Sequence, residues 1–265
     1  MSNTTLPKSE VPLLSARDLT KRFGGLAAVN QVSVDLWLGQ IHAVIGPNGA
    51  GKSTLTNLLS GDLPATSGTV SLREQNISGW SPEKISSNGL GRSYQKTNIF
   101  RSFSVWENVR LAAQSRSQPS AFNPLHWWRS AFNMHEVNER AERAMELAGL
   151  QNRRHHVAGE ASHGEQRQLE IAMTLATEPS VLLLDEPLAG MGVAEAESMV
   201  QLLLRLKKDH AIMLVEHDID AIFTLSDRLT VMVNGQVIAS GLPAVVRADN
   251  TVQAAYLGED LSEEH

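Results

Sequence analysis

Glycines, a lysine and two hydroxyls come together at Gly46–Thr54, GPNGAGKST, and fit the phosphate-cradling pattern G-x-x-x-x-G-K-[ST] without a mismatch. Gly46, Gly49 and Gly51 permit dihedrals and close approach that a Cβ would block, so the backbone through Pro47, Asn48 and Ala50 can wrap a polyphosphate. Amides at the helix start that follows, with the helix dipole, favour an anion. Lys52 would place a point charge on the β/γ-phosphates, and the hydroxyl of Ser53, beside Thr54, would ligate Mg²⁺. A second group closes the apolar run Val181–Leu184 with two carboxylates, Asp185 and Glu186. Asp185 would hold Mg²⁺ through water. Glu186 can face the γ-phosphate and orient or deprotonate the attacking water, help typically worth about 10²–10⁴ in rate. A binding-free glycine turn and a strand end capped by solvated acids are the plain alternatives. Each loses ground once the other motif is present.

These residues need a scaffold that brings strand ends to one edge. The apolar run Ile41–Ile45 predicts a buried strand leading into the glycines, and Ser53–Leu59 a helix leading out. From Leu13 to Leu38 short β-type runs alternate with turn residues, and Val32, Val34 and Leu36 face one way. Gly68–Leu72 predicts another strand, and Pro82–Gln95 a short helix followed by a strand into Tyr94-Gln95. Residues 96–160 change character. Val105–Ala113 and His135–Ala148 read as helices; Val137, Ala141, Met145 and Ala148 share a face, and Gly149 sits at a C-terminal cap. Alternation then resumes, with helices at Gln166–Ala176, Val193–Lys208 and Asp218–Leu225 and strands at Val181–Leu184 and Ala211–Val215. Leu229–Val233 and Gln236–Ala239 flank Asn234-Gly235, a hairpin signal. This order predicts a parallel α/β sheet with its ligands at the carboxyl ends of the strands, and no internal repeat is present.

The bulk properties narrow the partners. A chain of 265 residues holds one large domain or two small ones. A net charge of -6 works against nucleic acid as a partner. With no cysteine, neither a disulfide framework nor a zinc ribbon is possible. MSNTTLPKSEVP lacks the features of a secretory signal, and no window approaches the roughly 18–20 apolar residues of a membrane span. Work at a membrane would therefore be peripheral. Residues 1–12 read as a loose tail, and the acidic Gly258–His265 as disordered. Trp127 and Trp128 diverge by about 100° on a helix, so one of them is expected either to touch a partner or to pack locally. His155, His156 and His163 lack metal-ligand spacing.

Further along, ASHGE at Ala161–Glu165, followed by QRQLEIA, resembles the LSGGQ signature, and it lies a helix ahead of the Asp-Glu strand. With the two motifs above, the chain resembles the ATP-binding subunit of an ABC transporter from about Leu13 to Gly258. The resemblance implies a phosphate-loop (RecA-like) core with an N-terminal antiparallel β subdomain and an inserted α-helical subdomain. Residues 13–95 and 166–240 would form the core with the β subdomain, 96–165 the helical subdomain and 241–265 a C-terminal tail. It implies that Gln95 reaches Mg²⁺ or water and senses the membrane partner, and that His217 contacts the γ-phosphate. It also implies that Phe23 stacks on adenine, although an isolated aromatic there reads more simply as core. Ala189–Gly192 matches the segment that faces the second subunit. Ser162 and the amides around Gly164 would close on ATP bound to an opposite subunit, head to tail, whether identical or a sister chain. Departures from the family pattern are Ala161, His163 and Glu165 in the signature and Gly192 where an aspartate is common.

Membership of that family implies ATP hydrolysis with Mg²⁺ at the cytoplasmic face, transmembrane permease subunits and, indirectly, a solute-binding protein. The His-Gly signature, LEIA, the AGM after Asp-Glu-Pro and the terminal YLGE are similar to importers of branched-chain amino acids; urea importers look much alike. A soluble ABC ATPase of repair or translation is the competing class, and a degenerate regulator a third. One cassette with acidic balance disfavours the former, and the presence of Lys52, Asp185, Glu186 and His217 the latter.

Overall fold

Nearly continuous apolar runs become the centre of the molecule, because strands covered on both faces have no solvent side to mark. The computed structural model describes residues 11–94, 98–116 and 126–254, with only the backbone of 126–133 and Asp220. Gln95, residues 1–10 and 255–265, Tyr256–Glu259 among them, and the side chains of Trp127 and Trp128 lie outside the described residues. The elements are β1 (Leu14–Phe23), β2 (Leu26–Leu36), β3 (Ile41–Ile45), α1 (Lys52–Leu59), β4 (Ser67–Leu72), β5 (Gln75–Asn76), α2 (Pro82–Ser87) and β6 (Leu90–Arg92). There follow α3 (Val105–Ser115), α4 (His126–Ala148), α5 (His163–Leu175), β7 (Val181–Asp185), α6 (Val193–Leu206), β8 (Ala211–Val215), α7 (Ile219–Leu225), β9 (Arg228–Val233), β10 (Gln236–Gly241) and α8 (Pro243–Arg247).

One sheet runs in the order β10-β9-β3-β8-β7-β6 and is parallel except for the β9–β10 hairpin. Its middle strands β3 and β8, and β7 beside them, are buried from end to end. The one polar residue of β3, His42, is satisfied by Thr230 Oγ1 at 2.8 Å and the carbonyl of Asp35 at 3.1 Å. Burial lowers its pKa to about 4, so the ring stays neutral in the sheet. The parallel strands all deliver their carboxyl ends to one edge, where Gly46 follows β3, Glu186 follows β7 and Glu216 follows β8. Asn234 and Gly235 have φ of 49° and 77°, the left-handed pair that a two-residue hairpin turn requires.

A second, antiparallel sheet, β2-β1-β4-β5, packs its inward residues Leu14, Ala16, Leu19, Val32, Val34 and Leu36 on α1 and the first sheet. The short runs expected over 13–38 are instead two strands of 10 and 11 residues. Register shifts around Leu19 and Lys21, with positive φ at Asp18 and Gln31, break the alternation and disguise their length. Between β6 and β7 the chain is helical: α3, α4 and α5 share a core that includes Val109, Val137, Ala141, Met145, Ala148 and Leu169. Ser104 and Glu107 form a capping box that starts α3. α5 begins at His163, ahead of the Gln166 expected from its apolar face, because Ser162 caps it. The stretch after β10, expected as a tail, opens with α8 and puts Val246 and Val252 against Ala43, Ile45 and Val231. Among the described residues no helix is long and apolar enough to cross a membrane.

Candidate active site

β3 ends in a loop whose backbone has no room for side chains at two points. Gly46 (φ 153°) faces the carbonyl of Met232, and an added Cβ would lie 2.0 Å from that oxygen. Gly51 (φ 101°) faces the carbonyl of Ala28, where a Cβ would come within 2.3 Å. The loop is also tied from outside: Gly235 N donates to Ala50 O at 3.0 Å and Asn30 N to Gly235 O at 2.8 Å. The β9–β10 turn thus links the glycine loop to β2. Lys52, 7% exposed, opens α1 and donates from Nζ to the carbonyls of Gly46 at 2.5 Å and Pro47 at 3.0 Å. Asn48, Gly49 and Ser53 are exposed, and Thr54 is half-buried.

Across the edge, β7 ends in Asp185, which is 3% exposed. Burial, and then the charge of Glu186, push its carboxyl above the usual range, against the pull of Arg92, Lys52 and Arg167. An acidic oxygen held in that state favours a nearby cation. With the Ser53 hydroxyl it supplies the hard oxygen donors that suit Mg²⁺. Glu186 has φ of 49°, a left-handed conformation that a side chain adopts at a cost. That turn aims its carboxylate at His217, whose Nε2 lies 2.7 Å from Glu186 Oε1. The strands β7 and β8 therefore bring the two acids and the histidine to one place.

Ser162 and Gly164 stand apart from this edge, at the start of α5. Ser162 Oγ accepts from Glu165 N at 3.2 Å, and Ser162 N donates to Glu165 Oε2 at 3.1 Å. Ser162 Oγ also donates to Glu195 Oε1 at 2.6 Å. Gly164 lies so close to that carboxylate that a Cβ would meet Glu195 Cδ at 2.7 Å. The Ser162 hydroxyl bond, then the amide of Gly192, hold the Glu195 carboxyl below its usual range. Both partners of Ser162 come from α5 and α6, not from the phosphate loop. Between the sites runs Ala189–Gly192, with Gly190 packed beside His163. Phe23 is 51% exposed at the tip of the β1–β2 hairpin, with Lys21 Nζ 5.2 Å from its ring centre, so it is not core.

The family model described as "ABC transporter" matches residues 29–189, more than half of the chain. The chain belongs to the ABC transporter family. A second model, described as "Branched-chain amino acid ATP-binding cassette transporter", matches residues 236–261 of this ABC ATPase. It is similar to the high-affinity branched-chain amino acid transport ATP-binding protein LivG of Escherichia coli (strain K12), 38% identical over 253 residues, covering 94% of this chain and 98% of that one. The corresponding protein BraF of Pseudomonas aeruginosa is 36% identical over 252 residues, with 94% and 98% covered. Among solved structures, a nucleotide-free ATP-binding cassette from an ABC transporter superposes with a TM-score of 0.81 at 30% identity, covering 93% of this chain and 99% of that one. A dimeric bacterial ABC transporter cassette has the same fold, with a TM-score of 0.72 at 22% identity, covering 87% and 98%. This chain is a transport-coupled ATPase.

Two groups of the ABC ATPase site carry no sequence motif that singles them out. Glu195 is one. The other is Glu216, 3% exposed, whose carboxylate accepts from Leu188 N at 2.7 Å and His217 N at 3.1 Å. Burial raises its pKa, and these two amides oppose that shift. Glu216 thereby pins the chain after Glu186 to the chain before His217. Its place beside His217 in VEHD was the available signal, but nothing in the sequence says which way its side chain points.

Proposed function

We propose that this chain is the ATP-hydrolysing subunit of an importer for branched-chain amino acids, acting as a head-to-tail dimer at the cytoplasmic face of the membrane. The observation that carries hydrolysis is the 2.7 Å bond between Glu186 and His217, set beside a complete phosphate loop. The imported solute is supported by the names of LivG and BraF and by the match over residues 236–261.

In this reading Phe23 stacks on the adenine, and Gly46, Pro47, Asn48, Gly49, Ala50, Gly51 and Thr54 enclose the phosphates. Lys52 moves its ammonium from the loop carbonyls to the β/γ-phosphates. Ser53, Asp185 and Gln95 are the residues that would hold Mg²⁺, which supplies charge neutralisation on the phosphate oxygens. Glu186 orients the attacking water and accepts its proton, and His217 contacts the γ-phosphate. Ser162 and the Gly164 amide of a second subunit, identical or sister, close the cage from the far side. The helical subdomain, 96–165, then moves relative to the core of 13–95 and 166–240, and the permease subunits follow that motion. A solute-binding protein delivers the solute outside. Two states of one interface, biased by the γ-phosphate, make the motor.

The test is reconstitution in proteoliposomes with permease subunits of a branched-chain amino acid importer. ATP-dependent uptake of leucine, isoleucine or valine is the expected outcome. Uptake of urea instead would change the solute and leave the ATPase reading intact. Failure to associate with any permease while hydrolysing ATP would overturn the transport role.

A further inference from the structure

β7 and β8 stop side by side, Asp185 opposite Val215, and both chains then turn away from the sheet. The ladder between them ends where Glu186 N donates to Val215 O at 2.8 Å. Past that bond the chain after β7 folds back on itself. Glu186 is left-handed, Ala189 N donates to Glu186 O at 3.2 Å, and Met191 N donates to Leu188 O at 3.3 Å. What ties this turn to the one after β8 is a side chain. Glu216, almost fully buried, accepts from Leu188 N at 2.7 Å through Oε1 and from His217 N at 3.1 Å through Oε2.

Burying a carboxylate here carries a penalty. Burial pushes its pKa up, the two amides pull it down, and the charge of Glu186 adds to the rise. The residue type nevertheless fits the task. An ionised carboxylate is acceptor-only and has two oxygens, so it takes two converging N–H groups at once. A glutamine has one oxygen, and its NH₂ would meet the second N–H head on. The amides joined in this way flank the hydrolytic pair. Leu188 lies two residues beyond Glu186, and His217 carries the ring whose Nε2 is 2.7 Å from Glu186 Oε1. That ring is 47% exposed, so packing alone does not fix it.

We infer that Glu216 is a positioning residue for hydrolysis: by taking both amides it sets the spacing of the turns after β7 and β8, and so holds the His217 ring against the Glu186 carboxylate. The inference rests on the reading of Glu186 and His217 as the groups that meet the attacking water and the γ-phosphate. It differs from a structural role in what survives its loss. A carboxylate that only holds the fold together would, when replaced, lower the melting temperature and leave the turnover of the folded protein as before. A positioning carboxylate would lower turnover in protein that is fully folded and binds ATP.

Steady-state ATPase kinetics of the full-length chain with saturating Mg²⁺ test this, alongside thermal melts. Glu216→Gln is expected to lower kcat about 10- to 100-fold, the effect of misplacing a reacting group by about an ångström. KM for ATP is expected to stay within about 3-fold, since the phosphate-loop contacts are untouched. Should that variant not fold, Glu216→Asp, which keeps the charge on a shorter side chain, is expected to show the same split with a smaller loss. In a His217→Ala background either change is expected to lower kcat by less than about 3-fold more, because the ring it positions is gone. Wild-type kcat in the folded variants, or losses that simply multiply with that of His217→Ala, would overturn the inference and leave His217 its role. If His217→Ala alone keeps wild-type kcat, the His217 reading fails and the inference fails with it.

Discussion

The two halves of the proposed γ-phosphate cage are built differently. The phosphate loop is held from all sides: β3 ends in it, Met232 and Ala28 crowd its glycines, Gly235 ties it to β2, and Lys52 is buried within it. The start of α5 is an open helix end, where Ser162 is exposed and already bonded to a carboxylate of its own chain, Glu195. One half is closed around its own loop. The other is a helix start whose hydroxyl is bonded to an internal carboxylate, which an incoming phosphate would have to displace in the proposed dimer. The contrast teaches where regulation can enter: Lys52 would leave only carbonyls of its own loop, whereas Ser162 would have to give up a carboxylate from another helix.

On the phosphate-loop side the largest effect is expected from Glu186→Gln. ATP binding should persist while turnover falls by about 10²–10⁴, the usual worth of general-base help. A closed dimer should then accumulate in size-exclusion chromatography with ATP. Unchanged hydrolysis would remove Glu186 from its role and leave His217 without its partner. Lys52→Ala comes next. Losing one charge-assisted contact of about 1.5–3 kcal/mol should weaken ATP about 10- to 100-fold in a titration, and wild-type affinity would contradict the loop assignment.

On the open side the expected effects are smaller. Glu195→Ala, made in the Glu186→Gln background, should let ATP close the dimer at a few-fold lower protein concentration, because Ser162 is then free for the incoming phosphate. The effect is modest because an ion-dipole contact at the surface is screened by water. Equal dimerisation with and without Glu195 would mean that the carboxylate leaves at no cost, and the contrast between the halves would lose its basis.

Smallest of all is a stability effect at Asp185. Its folded pKa lies above the ordinary 3.8 through burial and the neighbouring Glu186. Below that ordinary value both folded and unfolded chains are protonated, and the residue has no effect. As pH rises the unfolded chain ionises first, so the folded state loses stability until the raised pKa is passed. Asp185→Asn should therefore raise the melting temperature of the nucleotide-free protein by a few degrees at pH 7 and not at all in acid below 3.8. A gain of the same size at both pH values would assign it to packing.

The same contrast governs what could be read from the amino-acid order. Gly46–Thr54 and Val181–Glu186 were legible because phosphate wrapping and a fully buried strand each demand residue types at fixed local spacing. Their elements followed from periodicity, and the left-handed Asn234-Gly235 from turn chemistry. The lengths of β1 and β2 were hidden where bulges broke the alternation. Glu195 on Ser162 and Glu216 on Leu188 were not legible. Each bond joins residues far apart in the chain and is made by a side chain whose type is common on any helix or strand end. No local pattern encodes them; tertiary packing decides them.

The turn at Asn234-Gly235 has a consequence for inheritance. Its amide and carbonyl brace the nucleotide loop, and a Cβ on Gly235 would collide with the carbonyls of Ala27 and Ala28 at 2.8 Å. A change there, far downstream of the lysine and the glycines, would copy the phenotype of a lesion in the loop itself. In a screen for transport-defective alleles, the two ends of the gene would fall into one class.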